Sequence, residues 1–309
     1  MTTHQTARTL YTSPTPSGTT FAYRRLGTPS SSSSTPLLIL THFRGVTDKF
    51  DPLLINLLSA SRPVIQVDYS GVGLSTGPVA KSVKQSAADI LAFLSLIDEK
   101  EVDILGFSLG GMVAQLVALN APQSGLGIKV RKLILAGTTP SAGPGVEATT
   151  NTDVGQWAGG QNVVIEAFKV LFFPQTKEGD VAAEQWWDRI GERGELNKLK
   201  GEKTATWLSD GYLDGAVGLK GQLEQLGKWG SVEGSEGEEG SFARLGELVD
   251  VPVLVVNGHD DYMTPTANSF TVQQKLPNAQ LIVYPNSGHG AIFQYATQFA
   301  KDALLFLGA

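Results

Sequence analysis

The chain of 309 residues contains no cysteine. That excludes disulfides, thiolate metal sites and a cysteine nucleophile, and it suits a reducing compartment. Histidine is nearly as scarce: His4, His42, His259 and His289 are the whole supply. Lys plus Arg number 24 against 30 Asp plus Glu, for a formal charge of −6, whereas a nucleic-acid binder normally carries a basic excess. No apolar run approaches the ~20 residues of a membrane span. The Thr-, Ser- and Pro-rich start lacks the apolar stretch of a secretory signal. Phe306-Leu307-Gly308-Ala309 matches no lipidation or address pattern. These absences lead us to expect a cytoplasmic protein that meets neither nucleic acid nor membrane and takes a small-molecule substrate. The sequence says nothing of oligomeric state.

What is present is a folding composition, with 41% apolar and 17% charged residues, too apolar for a disordered chain. Short β-rich runs alternate with helical patterns. The strands are predicted at Thr20–Leu26, Leu37–Thr41, Val64–Asp68, Val102–Gly106, Lys132–Ala136, Val253–Asn257 and Gln280–Tyr284. Helical patterns fall at Pro52–Ala60, Val83–Asp98, Leu109–Leu119, Thr266–Leu276 and Ile292–Leu307. The later strands are continuous apolar runs, as strands covered on both faces should be. The expected fold class is α/β, with a mostly parallel central sheet and helices on both faces.

The alternation stops from about residue 141 to 247, where helices are predicted at Gln161–Leu171, Val181–Ile190 and Asp214–Trp229. All five tryptophans (Trp157, Trp186, Trp187, Trp207 and Trp229) fall in this segment. We expect a core of residues 1–140 and 248–309 and an inserted helical cap at 141–247. The indole rings either form the cap's own small core or line an apolar pocket. Two stretches read as loose: the serine run Ser30–Thr35, and Gly230–Ser241, whose Gly, Ser and Glu composition offers nothing to bury and reads as flexible.

Gly106-Phe107-Ser108-Leu109-Gly110 matches G-x-S-x-G, and so does Gly73-Leu74-Ser75-Thr76-Gly77. Context separates them. Ser108 directly follows a strand and opens an amphipathic helix, the strand-turn-helix setting that lifts a nucleophilic hydroxyl above a sheet edge. Ser75 lies well past its strand and precedes Gly77-Pro78, a turn. A serine hydroxyl needs a base. His4 is expected in a mobile tail, His42 ends a strand, and His259 stands in a loop before two aspartates. His289 follows the last strand, on the sheet edge where ligands bind in open α/β sheets, so it is the expected base. An acid must orient that imidazole. Asp260 and Asp261 compete for this role, and spacing alone does not choose between them.

These residues carry a resemblance to the α/β-hydrolase superfamily, in its serine-dependent, cap-bearing branch of haloperoxidase-like esterases. It covers about residues 20–307 apart from the cap. The resemblance implies Asp261 as the acid, three residues after Gly258 and four before Pro265, and His289-Gly290 as the catalytic histidine. It also makes Ser75 structural, as the end of the D-x-x-G-x-G-x-S loop Asp68–Ser75. An oxyanion hole requires preorganised N–H donors. One is expected from Leu109, next to the nucleophile. The family's His-Gly-x donor is replaced here by His42-Phe43-Arg44, which leaves the second donor between Arg44 and Phe43. The Arg44 side chain either anchors that loop or helps to hold a polar substrate.

The implied activity is a serine hydrolase cleaving a carboxylic ester or lactone of an apolar or aromatic small molecule through an acyl-enzyme, with no cofactor and no metal. Candidate substrate contacts are His42, Phe107, Trp157, Trp186, Trp187 and Trp207. Two alternatives use the same residues: carbon–carbon cleavage, acyl transfer or cyclisation by the same triad, and a low-turnover ligand receptor.

Overall fold

The computed structural model describes residues 2–27, 35–149 and 151–308. Eight strands form one sheet: β1 (Leu10–Tyr11), β2 (Ala22–Leu26), β3 (Leu37–Leu40), β4 (Val64–Val67), β5 (Glu101–Phe107), β6 (Lys129–Ala136), β7 (Val253–Gly258) and β8 (Ala279–Tyr284). Their order is β1-β2-β4-β3-β5-β6-β7-β8. The first two pairings are antiparallel and all the others parallel. The sheet is thus mostly parallel, as the strand-helix alternation implies. The two-residue β1 is too short to carry a periodicity, and it escapes sequence reading. The predicted loop at Ser30–Thr35 lies outside the described residues except for Thr35.

Successive residues of a strand face opposite sides of a sheet. Along β3, Leu38 and Leu40 enter one apolar cluster while Leu37 and Ile39 enter the other. The first cluster is closed by α2 (Val83–Leu96), α3 (Leu109–Asn120) and Val272 of α8 (Thr266–Lys275). The second is closed by α1 (Pro52–Ser59) and by α9 (Ala291–Gln294) with α10 (Ala296–Leu307). The single helix predicted at Ile292–Leu307 is divided at Tyr295, whose hydroxyl donates to the Pro285 carbonyl at 2.8 Å. Helix starts follow local chemistry. Asp51 caps α1 by accepting from the Leu53 N–H with Pro52 in the first turn, and the Ser82 hydroxyl caps α2 at the Gln85 N–H.

Between β6 and β7 the described residues form helices and turns only: α4 (Thr152–Ala158), α5 (Ile165–Leu171), α6 (Lys177–Lys200) and α7 (Val217–Trp229). Helix α6 is far longer than the predicted Val181–Ile190. Its buried face runs Gly179, Ala183, Trp186, Ile190, Arg193, Asn197. The spacing stays helical, but the last two members are polar, and an apolar periodicity stops at Ile190. The Gly230–Ser241 stretch corrects the expectation that nothing in it is buried. Ser241 is fully buried, and its hydroxyl donates to Gln115 Oε1 at 2.7 Å and accepts from the Ser141 N–H at 3.2 Å.

His4 also departs from its expected mobile tail. It is buried, its backbone N–H donates to Asn56 Oδ1 at 2.7 Å, and its Nδ1 lies 3.0 Å from Gln66 Oε1. What pins this end is Asp48, in the loop after β3. Its carboxylate accepts from Arg24 of β2, from Arg193 Nε of α6 at 2.7 Å and from the Ala205 N–H at 2.6 Å. Arg193 in turn donates to the carbonyls of His4 and Gln5. Burial alone would raise the Asp48 carboxyl; the Arg24 charge, the Ala205 N–H and the Arg193 charge hold it below the usual carboxylate range. Removing the charge from such a buried cluster strands two guanidinium groups. We therefore predict that Asp48→Asn lowers the unfolding free energy by about 3–5 kcal/mol, read from urea denaturation at neutral pH. A change below about 1 kcal/mol, within the range of exposed ion pairs, would contradict this account.

Candidate active site

The elbow at Ser108 is set by its neighbours. Ser108 joins β5 to α3 with φ 57° and ψ −120°, a conformation costing a non-glycine residue about 1–3 kcal/mol. Four bonds hold it: the Ser108 N–H donates to the Ala136 carbonyl, while its own carbonyl accepts from Thr138 Oγ1 and from the N–H groups of Gly111 and Met112. The turn closes so tightly that a Cβ on Gly106 would stand 2.3 Å from the Gly110 carbonyl oxygen. The small residues flanking the serine are therefore a steric requirement.

The loops after β7 and β8 bring the other two groups together. A Cβ on Gly258 would lie 2.1 Å from the Gly288 carbonyl oxygen, so only glycine permits this approach. Nδ1 of His289 and Oδ2 of Asp261 are 2.7 Å apart, both side chains fully buried. Asp261 Oδ1 accepts from the N–H groups of Met263 and Thr264, and Oδ2 from the Thr264 hydroxyl at 2.7 Å. With a carboxylate as its partner, Nδ1 is the nitrogen that donates here, and Nε2 is the one left without a protein partner among the described residues. The neighbouring Asp260 instead meets the exposed His259 at 2.9 Å. Of the two competing aspartates, Asp261 is the one that faces His289.

The His289 ring is wedged between aromatic side chains, with Phe107 and Phe172 centroids at 5.0 and 5.4 Å. Its Nε2 is buried and meets no partner among the described residues. Ser108 and His289 line one chamber. Their Oγ and Nε2 are not hydrogen-bonded to each other.

The loop after β3 behaves differently from an open turn. Arg44 has φ 60°, and its N–H donates to Gln222 Oε1 of α7 at 2.7 Å. Its guanidinium donates to the carbonyls of Leu208, Ala158, Gly160 and Ser209. Arg44 is thus a peg joining this loop to the helical segment, through carbonyls and not through an ion pair. The Phe43 N–H meets no acceptor among the described residues. The same holds for Leu109, whose N–H opens α3. His42 is buried beside Phe107, Phe172 and Trp207, and neither ring nitrogen has a partner among the described residues. Burial, and then the nearby His289, push its pKa down to about 3.

The six expected substrate contacts divide. His42, Trp157 and Trp207 line the chamber. Phe107 and Trp186 are fully buried packing residues, and Trp187 borders a surface groove with Thr3 and Glu192. These three do not line the chamber: alternation and composition do not tell a ring that faces a cavity from one packed beneath it. Residues the sequence did not single out include Thr264, Phe168, Phe172, Met263 and Gln222. Thr264 carried a signal, a hydroxyl three residues after an acid in a turn; Gln222 carried none. Ser75 is tied up structurally, donating to the Asp68 carbonyl at 2.8 Å and accepting from the Ala22 N–H at 2.9 Å.

Residues 35–295 match the family model described as alpha/beta hydrolase fold. The chain is similar to a solved alpha/beta hydrolase fold protein from Chitinophaga pinensis, at 32% identity and a TM-score of 0.82, over 99% of both chains. It is 26% identical to the 2-hydroxy-6-oxononadienedioate/2-hydroxy-6-oxononatrienedioate hydrolase of Cupriavidus pinatubonensis, covering 82% of this chain and 78% of that protein. It is 25% identical to the pimeloyl-[acyl-carrier protein] methyl ester esterase of Nitrosomonas europaea, covering 81% of this chain and 88% of that one.

His4 and His42, two of the three buried histidines, give a pH prediction. Burial lowers both His42 and His4 to about 3, while the unfolded chain titrates near an ordinary value of about 6.5. Below that ordinary value the unfolded chain takes up protons that the native state refuses, so stability is full above it and is lost as pH falls towards about 3. The unfolding free energy should fall by about 1.4 kcal/mol per pH unit for each histidine between pH ~6 and ~5. Denaturant titrations on the wild type and His4→Gln, in which one contribution disappears, check this; equal slopes would refute it.

Proposed function

The chain belongs to the alpha/beta hydrolase fold family, and from that premise we propose a serine hydrolase that cleaves a carboxylic ester or lactone of an apolar or aromatic small molecule. The observation carrying the proposal is the buried Asp261–His289 pair, with a free Nε2 in the chamber that Ser108 lines. Ser108 Oγ attacks the carbonyl carbon and its proton passes to His289 Nε2. Asp261 holds the ring and stabilises the imidazolium. The carbonyl oxygen becomes an alkoxide, which accepts from the N–H groups of Leu109 and Phe43. Arg44 is the weaker candidate for the second donor, because its N–H is already committed to Gln222. Collapse expels the alcohol, protonated by the imidazolium, and leaves the acyl group on Ser108. Water then attacks with His289 as base and regenerates the hydroxyl.

A second reading, carbon–carbon cleavage by the same groups, is favoured by similarity to the 2-hydroxy-6-oxononadienedioate hydrolase. The wild type should turn over activated esters of apolar acids faster than 2-hydroxy-6-oxo dienoates; the reverse order selects the second reading. A fluorophosphonate should modify Ser108, located by peptide mapping. Ser108→Ala and Asp261→Asn should each lower kcat/KM on the order of 10⁴-fold. Folded protein that carries no adduct on Ser108 overturns the proposal.

A further inference from the structure

Two cavities meet at Ser108, and they are very unequal. The inner chamber, between His42, Arg44, Phe172, Trp207 and His289, has a volume of about 30 Å³. It is far smaller than the groove outside it. The outer groove has a volume of about 700 Å³ and an apolar lining that includes Met112, Pro140, Val146, Leu223, Leu226 and Trp229. Ser108, Phe43, Ala158 and Met263 border both. An ester attacked at Ser108 must therefore divide, one half into each cavity.

His289 decides which half goes where, because it lines the inner chamber and not the groove. Nε2 must hand its proton to the departing alcohol oxygen, so the alcohol half lies beside the imidazole. The water that later attacks the acyl-enzyme must reach the same nitrogen from the same side, since the second step is the reverse of the first with water in place of the alcohol. A chamber so much smaller than the groove suits both occupants only if the alcohol is small.

We propose that the substrate is the methyl or ethyl ester of a carboxylic acid with an extended apolar or aromatic body, its alkoxy group in the inner chamber and its acyl chain in the groove. The inference rests on the serine-hydrolase reading and narrows it. It favours open-chain esters over lactones, in which the leaving oxygen stays tied to a large ring. The products are a free apolar acid and methanol or ethanol, so a reaction that esterifies such acids with a small alcohol must supply the substrate.

Two isomers that differ only in the direction of the ester provide the test: methyl 4-phenylbutanoate and 3-phenylpropyl acetate. Wild-type protein should show a kcat/KM at least about tenfold higher for the methyl ester, since one misplaced methylene already costs about 10-fold or more. Butyl 4-phenylbutanoate should be slower than the methyl ester by about a hundredfold. Leu171→Ala, which enlarges the chamber it lines, should narrow that methyl-to-butyl ratio at least tenfold. Equal or faster turnover of the acetate overturns the orientation and leaves the hydrolase reading standing, as does an unchanged ratio in folded Leu171→Ala. If none of the three esters is turned over faster by the wild type than by Ser108→Ala, the hydrolase reading and this inference fail together.

Discussion

The loop between β3 and α1 carries the constraint on which the rest of the molecule depends. Within a few residues it supplies His42 and Phe43 to the site, Arg44 to the helical segment, and Asp48 to the packing beneath. Asp48 binds two guanidinium groups and a backbone N–H that come from three separate parts of the chain. Arg44 spreads its donors over four carbonyls of the segment between β6 and β7. Backbone carbonyls in loops are costly to bury unpaired, and these two residues turn that cost into attachment. The helices that roof the chamber and the loop that floors it are therefore one hydrogen-bonded unit.

Strain and tightness sit where the proposed chemistry sits. Ser108 is held at positive φ by bonds on both of its peptide groups, and the strand-to-helix turn around it leaves no space for a Cβ at Gly106. The imidazole is fixed by a carboxylate at one nitrogen and by aromatic rings on its faces. Its second nitrogen is left without a partner. Buried nitrogens without a partner also occur at His4, His42, Gln66 and Trp186, so what sets the His289 ring apart is the carboxylate held on its other nitrogen.

Much of this was legible in the sequence, and the reasons it was legible also define where legibility ended. Continuous apolar runs such as Leu37–Leu40 and Val253–Val256 read as strands covered on both faces, and their alternation with helical patterns implies the parallel sheet. Ser108 stood out because its motif sat between a strand and a helix, and His289 because so few histidines compete with it. Long-range polar contacts were not legible. The burial of His4 depends on Asn56 and Gln66, and the second half of α6 is held by Arg193 and Asn197; none of these has an apolar period to betray it. Asp260 and Asp261 are chemically identical neighbours, and only the fold of the turn through Thr264 determines which one reaches the imidazole. Among the aromatic residues, Trp186 and Trp207 look alike in sequence, yet one is buried packing and the other lines the chamber.

The same distinction bears on how such a site becomes selective. A wide apolar groove discriminates weakly, because each methylene transferred from water gains a similar amount wherever it lies. A chamber walled by packed rings discriminates strongly, because interiors resist added volume. His42 packs against Phe172 and Trp207, Phe107 against His42 and Phe172, and Phe168 against Phe172 and Trp207, so the chamber wall is continuous with the core. Its size is fixed by the stability of the fold, whereas the groove is bounded largely by turns after β6 and by α7. Selectivity at the small end and tolerance at the large end thus arise from a difference in what each wall is attached to.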